Sequence, residues 1–345
     1  MKYRLYTTSQ KAWDGMFKAM AQAQTSIYME MYIFLDDTQA THNFLGLLKD
    51  KARAGLEVVV VADSYGSSSL RNGAANELKE AGVEFILFNH WLRHTHRKIL
   101  IIDNKVAFLG GVNIKEKIRH WHDLQIKITG KIVAPLLKSF AYSYQSAGGK
   151  KESILKYSRL PLVKKIKAWI IDSFLGTSAS YSLNNYYKEK INNAKVSIKM
   201  VTPYLLPPRW LLAILEDACR REVKVEIVIP NDTDIKLLNK SNYLNACRMS
   251  AYGVKFYLMP AMNHAKIMLI DDVEGVIGSQ NMDVLSFNWN MEAGVFFQQK
   301  DLVGDLKNIF EHWRQESVYF NSAAKKVKFS DKILIGILKL FYPIF

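Results

Sequence analysis

Two copies of one short motif hold the residues of this sequence that are best suited to catalysis. Each copy runs from a histidine and a lysine two residues apart, through four apolar residues and an aspartate, to a glycine turn that ends in asparagine: His96-Arg97-Lys98, Asp103 and Gly110-Gly111-Val112-Asn113, then His264-Ala265-Lys266, Asp271 and Gly278-Ser279-Gln280-Asn281. The spacing is identical, with seven residues from histidine to aspartate and seven more to the first glycine. This agreement indicates that both copies serve the same kind of chemistry.

The chemistry that these side chains allow is phosphoryl transfer through a covalent intermediate. The four apolar residues predict a strand, in which residues two apart point to the same face, so each imidazole lies beside an ammonium group. One neutral histidine can attack phosphorus while the other, protonated, gives its proton to the leaving alcohol. The lysines offset the charge of the transition state, so we expect neither a metal nor a cofactor. The glycine turns should bring amide donors to the phosphate from Gly110, Gly111, Asn113, Gly278, Ser279 and Asn281.

A carboxylate is expected beside each imidazole, to orient it and to stabilise its cation. Asp123 follows His96 by 27 residues and Glu292 follows His264 by 28, both in strand-like stretches. We therefore predict that Asp123 orients His96 and that Glu292 orients His264, the alternative being that both are structural surface acids. The candidate catalytic set is His96, Lys98, Asp103, Asp123, His264, Lys266, Asp271 and Glu292.

The two histidines are expected to play different parts. Cations near His96, namely Arg97 and Lys98, favour its neutral and nucleophilic form, although Arg97 should point to the opposite face of the strand. His264 has Ala265 in the place of that arginine, which suits a general acid. The sequence therefore favours His96 as nucleophile and His264 as proton donor.

The elements that must position these residues come from a tandem duplication. Residues 23–29, 57–61 and 81–85 resemble residues 194–200, 224–228 and 252–256, in the same order and about 170 positions apart, as the motifs are. In the first copy, strands are predicted over 26–35, 56–62 and 83–88, and helices over 42–54 and 76–81. Such alternation predicts an α/β fold: two tandem α/β sandwich units related by a pseudo-twofold axis.

Four segments follow from the repeat: a first unit at 1–147, a linker at 148–180, a second unit at 181–322 and a tail at 323–345. The linker is basic and amphipathic, so it is either a solvated helix or a surface for anionic lipid. Residues 331–345 are very apolar, follow several lysines and are too short to span a bilayer. They are expected to be an interfacial membrane anchor, or else a helix docked on the protein's own core.

Composition limits the partners and the compartment. The formal charge of +15 requires an anionic partner, which nucleic acid, acidic lipid or a phosphorylated substrate could each provide. Two scattered cysteines, Cys219 and Cys247, are typical of reduced thiols in a cytosol. The sequence shows no signal peptide and no run of 18 apolar residues, so any membrane association is expected to be peripheral.

Two histidine pairs raise the alternative of a zinc site. His94, His96, His120 and His122 form two His-X-His pairs, a spacing that suits zinc. His96, however, already belongs to the duplicated motif, and His264 has no such partner. We therefore expect His120 and His122 to be strand residues near the cleft.

The doubled pattern H-x-K-x4-D-x6-G-[GS]-x-N resembles that of the phospholipase D superfamily, known for its HKD motif. Within it, the chain resembles bacterial cardiolipin synthases, through Tyr32-Ile33-Phe34, residues 63–67, residues 202–207 and Asn281-Met282-Asp283. Many of those enzymes begin with two transmembrane helices that this chain lacks, so it resembles a short form. In two-motif members the N-terminal motif usually supplies the nucleophile.

The resemblance implies a role in phospholipid biosynthesis. Its expected reaction joins two phosphatidylglycerol molecules into cardiolipin and releases glycerol, through a phosphatidyl-histidine, at the cytoplasmic face of the cell membrane. A lipid-hydrolysing phospholipase D shares the covalent step and stays open as an alternative, as does a nuclease, which the positive charge would also suit. The apolar basic tail favours lipid over nucleic acid, and the oligomeric state is left open.

Overall fold

The computed structural model describes residues 1–71, 73–90, 93–160, 168–172 and 183–321. Within these residues the chain forms two α/β units in succession. The first unit contains strands β1 Lys2–Thr8, β2 Ser26–Met31, β3 Glu57–Asp63, β4 Glu84–Phe88, β5 Lys98–Ile102, β6 Val106–Gly110 and β7 His122–Thr129, with helices α1 Ser9–Ala21, α2 Phe44–Arg53, α3 Gly73–Glu80, α4 Val133–Ser146 and α5 Glu152–Leu155.

The second unit repeats this pattern with different edges. Its strands are β8 Ala168–Asp172, β9 Ser197–Val201, β10 Leu205–Leu206, β11 Lys224–Pro230, β12 Lys255–Met259, β13 Ile267–Ile270, β14 Glu274–Gly278, β15 Met282–Asp283, β16 Ala293–Phe297 and β17 Val318–Tyr319. Its helices are α6 Leu183–Asn193, α7 Arg209–Arg220, α8 Lys236–Ser250, α9 Val284–Asn288 and α10 Lys300–Gln315.

The two large sheets share one strand order. The first runs β1-β7-β6-β5-β2-β3-β4, and the second runs β8-β16-β14-β13-β9-β11-β12-β17. In both, three neighbouring strands are parallel, β2-β3-β4 in the first sheet and β9-β11-β12 in the second, and the motif strand, β5 or β13, pairs antiparallel with the first of them. The α/β fold and its duplication are therefore confirmed, while the edge strands differ between the units.

Three large apolar layers and one small cluster form the core of the described residues. One layer lies between the sheets and joins both units, with residues such as Tyr28, Val59, Ile267 and Val295 fully buried in it. Helices α4 and α10 pack into this layer, whereas α1–α3 and α6–α8 cover the outer faces of the two sheets. Because both motif strands belong to sheets that share this layer, the packing brings their ends together.

The predicted elements of the first unit are confirmed, with shifted ends. The strand expected over 26–35 ends at Met31. The helix expected over 42–54 corresponds to α2, whose N-cap is Asn43; the side chain of Asn43 accepts a hydrogen bond from Gly46 N at 2.8 Å. In the predicted linker, the described residues contain α5 and the strand β8, which pairs with β16. The segment boundaries stay a prediction, and the tail at 323–345 lies outside the described residues.

Candidate active site

The start of each motif is bonded to the opposite unit. His96 N donates to Met291 O at 3.0 Å, and His264 N donates to His122 O at 2.7 Å. Thr95 and Met291 form one isolated parallel bridge between the units, and His122 and Asn263 form another. The two catalytic candidates are therefore fixed at the interface by reciprocal backbone bonds, as expected for units related by an approximate twofold axis.

Each histidine takes its carboxylate from the other unit. His96 Nδ1 lies 2.9 Å from Glu292 Oε1, and His264 Nδ1 lies 2.9 Å from Asp123 Oδ2. The prediction that Asp123 serves His96 and Glu292 serves His264 is wrong. The reason is the interface register: Met291 pairs with the start of the first motif and His122 with the start of the second, so the next residue along each chain segment meets the other unit's imidazole.

The two imidazoles line one cavity of about 260 Å³ between the units. When the carboxylate that faces each Nδ1 is ionised it can only accept a hydrogen bond, so in that state Nδ1 carries the proton and Nε2 is left for chemistry. Aromatic rings hold the imidazoles in place: Tyr32 lies 4.8 Å from His96, and Trp121 lies 5.9 Å from His264, between ring centroids. Both histidines are almost wholly buried, so a reaction there is shielded from bulk water.

The motif lysines are buried, and the amino group of each one donates to the backbone. Lys98 Nζ donates to His96 O and Lys266 Nζ donates to His264 O. Burial is the largest cause that lowers the pKa of Lys98 well below its ordinary value, and it lowers the pKa of Lys266 to about 8. Glu292 and Asp123 oppose these shifts. A phosphodiester anion in the cavity would supply the missing counter-charge and favour both ammonium forms.

Burial also shifts the histidines and one carboxyl group. Desolvation, followed by the charges of Lys98 and Lys266, lowers the pKa of His96 well below its ordinary value. Desolvation and Lys266 lower the pKa of His264 as well, but Asp123 opposes that shift through its charge and its hydrogen bond. Burial raises the pKa of Glu292 to about 7. His264 is thus the imidazole that holds a proton more readily.

The glycine turns support the carboxylates, which differs from the role predicted for them. Gly111 N donates to Leu124 O at 3.0 Å, and Ser279 N donates to Ala293 O at 3.0 Å, so these donors are occupied within the protein. A Cβ on Gly111 would lie 2.1 Å from Asp123 Oδ1. Ser279, at the equivalent position, donates its hydroxyl to Glu292. This geometry therefore does not support the prediction that Gly111 and Ser279 bind phosphate through their amides.

The first glycine of each turn is likewise held by the protein. Gly278 N donates to Lys266 O at 3.2 Å, and a Cβ on Gly110 would lie 2.2 Å from Leu124 O, so both backbones are packed against neighbouring chain. The asparagines differ, because Asn113 and Asn281 both line the cavity. Asn113 Oδ1 accepts from Ile33 N at 3.2 Å. Of the six predicted phosphate ligands, the two asparagines are the ones that remain candidates.

The motif aspartates lie at the far end of their strands and hold backbone. Asp103 accepts hydrogen bonds from the backbone N–H groups of Gln24, Thr25 and Ser26 at 2.7–3.1 Å. Asp271 does the same for residues 195–197 at 2.7–3.2 Å. Both lie in left-handed turns with φ of 51°. This placement does not support their predicted catalytic role, since the length of β5 or β13 separates each from its histidine.

Arg97 also points away from the cavity. Its guanidinium lies 3.4 Å from Glu30 and donates to Ser139 Oγ at 2.7 Å, in the layer beneath α4. It is therefore not among the groups that lower the pKa of His96. Among the described residues, no three His, Cys, Asp or Glu side chains converge as metal ligands. The ring of His122 packs on Trp313 at 6.4 Å.

Several cavity residues were not predicted from the sequence. Tyr32, Tyr204, Lys115 and Asp283 line the cavity, and burial raises the pKa of Asp283 to about 6. Asp283 follows Gly278 by five residues, as Lys115 follows Gly110, so an acid in one unit replaces a base in the other. That difference was visible in the aligned motifs and was the available signal for an asymmetric site.

Comparison with known proteins identifies the relatives of this chain. The family described as cardiolipin synthase, PLD-like domain, matches residues 16–144 and 187–314. A cardiolipin synthase of Clostridium perfringens is 32% identical over 89% of this chain and 69% of its own length. A probable cardiolipin synthase of Bacillus subtilis is 28% identical over 91% of this chain and 66% of its own length. The chain thus spans about two thirds of the length of these relatives.

Solved structures share the fold at low sequence identity. A phosphatidylserine synthase of Haemophilus influenzae superposes with a TM-score of 0.76 over 99% of this chain and 93% of its own, at 15% identity. A polyphosphate kinase of Porphyromonas gingivalis superposes with a TM-score of 0.65 over 100% of this chain and 54% of its own, at 12% identity. These likenesses concern the fold alone.

Proposed function

The chain belongs to the cardiolipin synthase, PLD-like domain family, and from this membership we propose that it is a phosphatidyltransferase that makes cardiolipin from two phosphatidylglycerol molecules. Glycerol is the leaving alcohol of the first molecule, and a headgroup hydroxyl of the second is the acceptor. The observation that carries the proposal is the pair of His–carboxylate contacts that cross between units in one cavity.

His96 is the nucleophile in the proposed mechanism. Its Nε2 attacks phosphorus, the P–O bond to glycerol breaks, and His264 gives a proton to the departing oxygen. The product is a phosphatidyl-histidine on His96 and a neutral His264. The pKa of His96 is lowered well below its ordinary value, mainly by burial and then by both lysines, which supports a neutral nucleophile. Asp123 helps His264 to hold its proton, which supports the acid role.

The second step reverses the first with a new alcohol. The acceptor hydroxyl loses its proton to His264 Nε2 while its oxygen attacks phosphorus, and the P–N bond to His96 breaks. Lys98 and Lys266 offset the negative charge that builds on the phosphoryl oxygens in both steps. Glu292 and Asp123 keep the imidazoles oriented and stabilise whichever one is cationic.

Analysis of lipid products tests the reaction directly. The purified protein is incubated with phosphatidylglycerol vesicles, and lipids and glycerol are quantified by mass spectrometry, with His96→Asn and His264→Asn as inactive controls. We expect cardiolipin and free glycerol in equal amounts. Phosphatidic acid without cardiolipin would identify a hydrolase, and cleavage of DNA without any action on lipid would contradict a lipid enzyme.

The site of action that we propose is the cytoplasmic face of the bacterial cell membrane, with the protein bound peripherally. The helices that the structure describes are all too short or too polar to span a bilayer. The tail at 323–345 is the proposed anchor, because its apolar residues follow a basic stretch. Deletion of residues 331–345 should move the protein into the soluble fraction; retention on vesicles would show that another part of the chain, such as the basic segment at 148–180, is the main anchor.

A further inference from the structure

Two equivalent loops carry exposed apolar side chains beside the cavity. One follows β3 and presents Tyr65, with 57% of its surface exposed. The other, called here the second loop, consists of the residues after β11 and the first turn of α8, and presents Ile235 and Leu237, with 45% and 38% exposed. All three line the cavity that holds His96 and His264. Since β3 and β11 are equivalent strands of the duplicated fold, the three residues, here named the apolar rim, lie on both sides of its mouth.

Hydrogen bonds hold both loops in place. Asp63 Oδ1 accepts from the backbone N–H groups of Tyr65 and Gly66 at 2.9 and 3.0 Å. In the second loop, Tyr204 donates its hydroxyl to Asp234 Oδ1 at 2.6 Å. Fixed loops that keep large apolar side chains in solvent lose the stability that burial would give, which points to a partner that covers them.

The substrate of the proposed function suggests which partner this is. A phospholipid whose phosphate reaches His96 still has acyl chains that extend out through the cavity mouth. A mouth surrounded by apolar side chains can stay in contact with a bilayer during this transfer. Lys236, exposed between the two apolar residues of the second loop, suits anionic headgroups, and tyrosine suits the boundary between headgroups and acyl chains.

We propose that the apolar rim of Tyr65, Ile235 and Leu237 inserts into an anionic phospholipid bilayer, so that the catalytic cavity opens directly onto the headgroup layer. This inference rests on the proposed function for its choice of partner. It identifies a docking surface on the folded units that is separate from the tail at 323–345.

A fluorescent probe at single positions tests the insertion without relying on catalysis. Cys219 and Cys247 are replaced by alanine in the whole chain, one cysteine is introduced by Ile235→Cys or Leu237→Cys, and it is labelled with an environment-sensitive fluorophore. Val273→Cys is the matched control, because Val273 is 64% exposed but lies beyond β13, at the end of that strand opposite His264.

Vesicles of phosphatidylglycerol and phosphatidylcholine should raise the emission at positions 235 and 237 severalfold and leave position 273 unchanged. An equal response at 235 and 273, or no response at 235 while the protein sediments with the vesicles, would overturn the proposal. A response at 235 in a protein that makes no cardiolipin would support the rim and reject the proposed function, so the two failures are distinguishable.

A kinetic ratio gives a second and independent test. Two transfer rates are compared, one on phosphatidylglycerol vesicles and one on monomeric dihexanoyl-phosphatidylglycerol. The double substitution Ile235→Asp/Leu237→Asp should lower the ratio of the vesicle rate to the monomer rate by about tenfold or more. Val196→Asp/Val273→Asp is the control, since both valines are exposed at the distal end of the second sheet. An unchanged ratio in the rim variant, or an equal fall in the control, would contradict membrane insertion.

Discussion

The two halves of the active site use the same histidine and lysine but surround them differently. Glu292, beside His96, accepts hydrogen bonds from the hydroxyls of Ser279 and Ser286. Asp123, beside His264, accepts one from the N–H of Leu124 at 2.7 Å and lies against Gly111. Glu292 thus accepts from side-chain donors, whereas Asp123 occupies the space that a side chain at position 111 would fill.

This difference shows how a duplicated site becomes asymmetric without changing its motif. Two hydroxyls hold Glu292 in a fully buried place, and burial raises its pKa to about 7. In the other half, the charge and hydrogen bond of the Asp123 carboxylate help His264 to keep a proton. In the proposed mechanism, the supporting residues, more than the histidines themselves, separate the nucleophile from the acid.

Replacing either histidine should have the largest effect. Both His96→Asn and His264→Asn should lower cardiolipin synthesis by roughly 10⁴-fold or more, as loss of a nucleophile or acid does in such sites. A phosphatidyl donor with a p-nitrophenol leaving group, which needs no proton donor, should distinguish the nucleophile from the general acid. With it, His264→Asn should release a burst of p-nitrophenol while His96→Asn should not; a burst from His96→Asn alone would reverse the assigned roles.

Replacing a buried lysine should lower activity and raise stability. Lys266→Met should slow transfer by about 10²–10³-fold, because it removes a charge that stabilises the transition state. The folded-state pKa of Lys266 is about 8, below its ordinary value, so the unfolded chain binds more protons and wild-type stability rises with pH from about 8 to about 10.5.

Lys266→Met should therefore be more stable at pH 7, on the order of 1–3 kcal/mol, and should lose the part of that rise that Lys266 contributes, while Lys98 keeps its own part. Denaturant unfolding at pH 7 and pH 10 measures both effects. The exposed Lys195→Met serves as the control and should show neither. A less stable Lys266→Met protein at pH 7 would show that burial of this ammonium group costs little.

Adding one methyl group at the first turn should disturb the His264 half alone. Gly111→Ala places a Cβ against Asp123, so the carboxylate must shift and His264 with it. Transfer should fall by about 10²-fold, the cost of a misplacement near 1 Å. Gly304→Ala in α10 meets open space and should keep full activity. Equal activities of the two variants would contradict the close contact.

Removing one hydroxyl in the other half should have the smallest effect. Ser279→Ala leaves Ser286 on Glu292, so transfer should fall only by about tenfold. The double variant with Ser286→Ala should lose more than the product of the two single effects, because the buried carboxylate then lacks both hydroxyl donors. Simple multiplication of the single effects would show that the two hydroxyls act independently. Steady-state rates on phosphatidylglycerol vesicles measure both.

The sequence was a good guide to the local elements. Four apolar residues in each motif predicted β5 and β13, and the repeat predicted two sheets of one strand order, because both signals depend on short-range patterns. The same reasoning placed Asp103 in the site, since spacing along a strand does not reveal which end faces the cavity. Its carboxylate instead holds the amides before β2.

The crossed carboxylates lay beyond what spacing can predict. Glu292 is 196 residues from His96 and 28 from His264, and it contacts the distant one. Offsets of 27 and 28 residues in the two copies are compatible with pairing within a unit or between units. Packing of the two sheets decides between them, because the interface register sets which residue follows each bridging backbone bond.

Adduct trapping in double variants tests the crossed site most directly. In His264→Asn protein given the p-nitrophenol donor, mass spectrometry should find the phosphatidyl group on His96. Adding Glu292→Gln should strongly slow the formation of this adduct, because Glu292 orients His96. Adding Asp123→Asn should change the rate of adduct formation little, since the imidazole that Asp123 contacts is already absent. Suppression by Asp123→Asn with no effect of Glu292→Gln, or an adduct on His264 in His96→Asn protein only, would contradict the crossed arrangement and its roles.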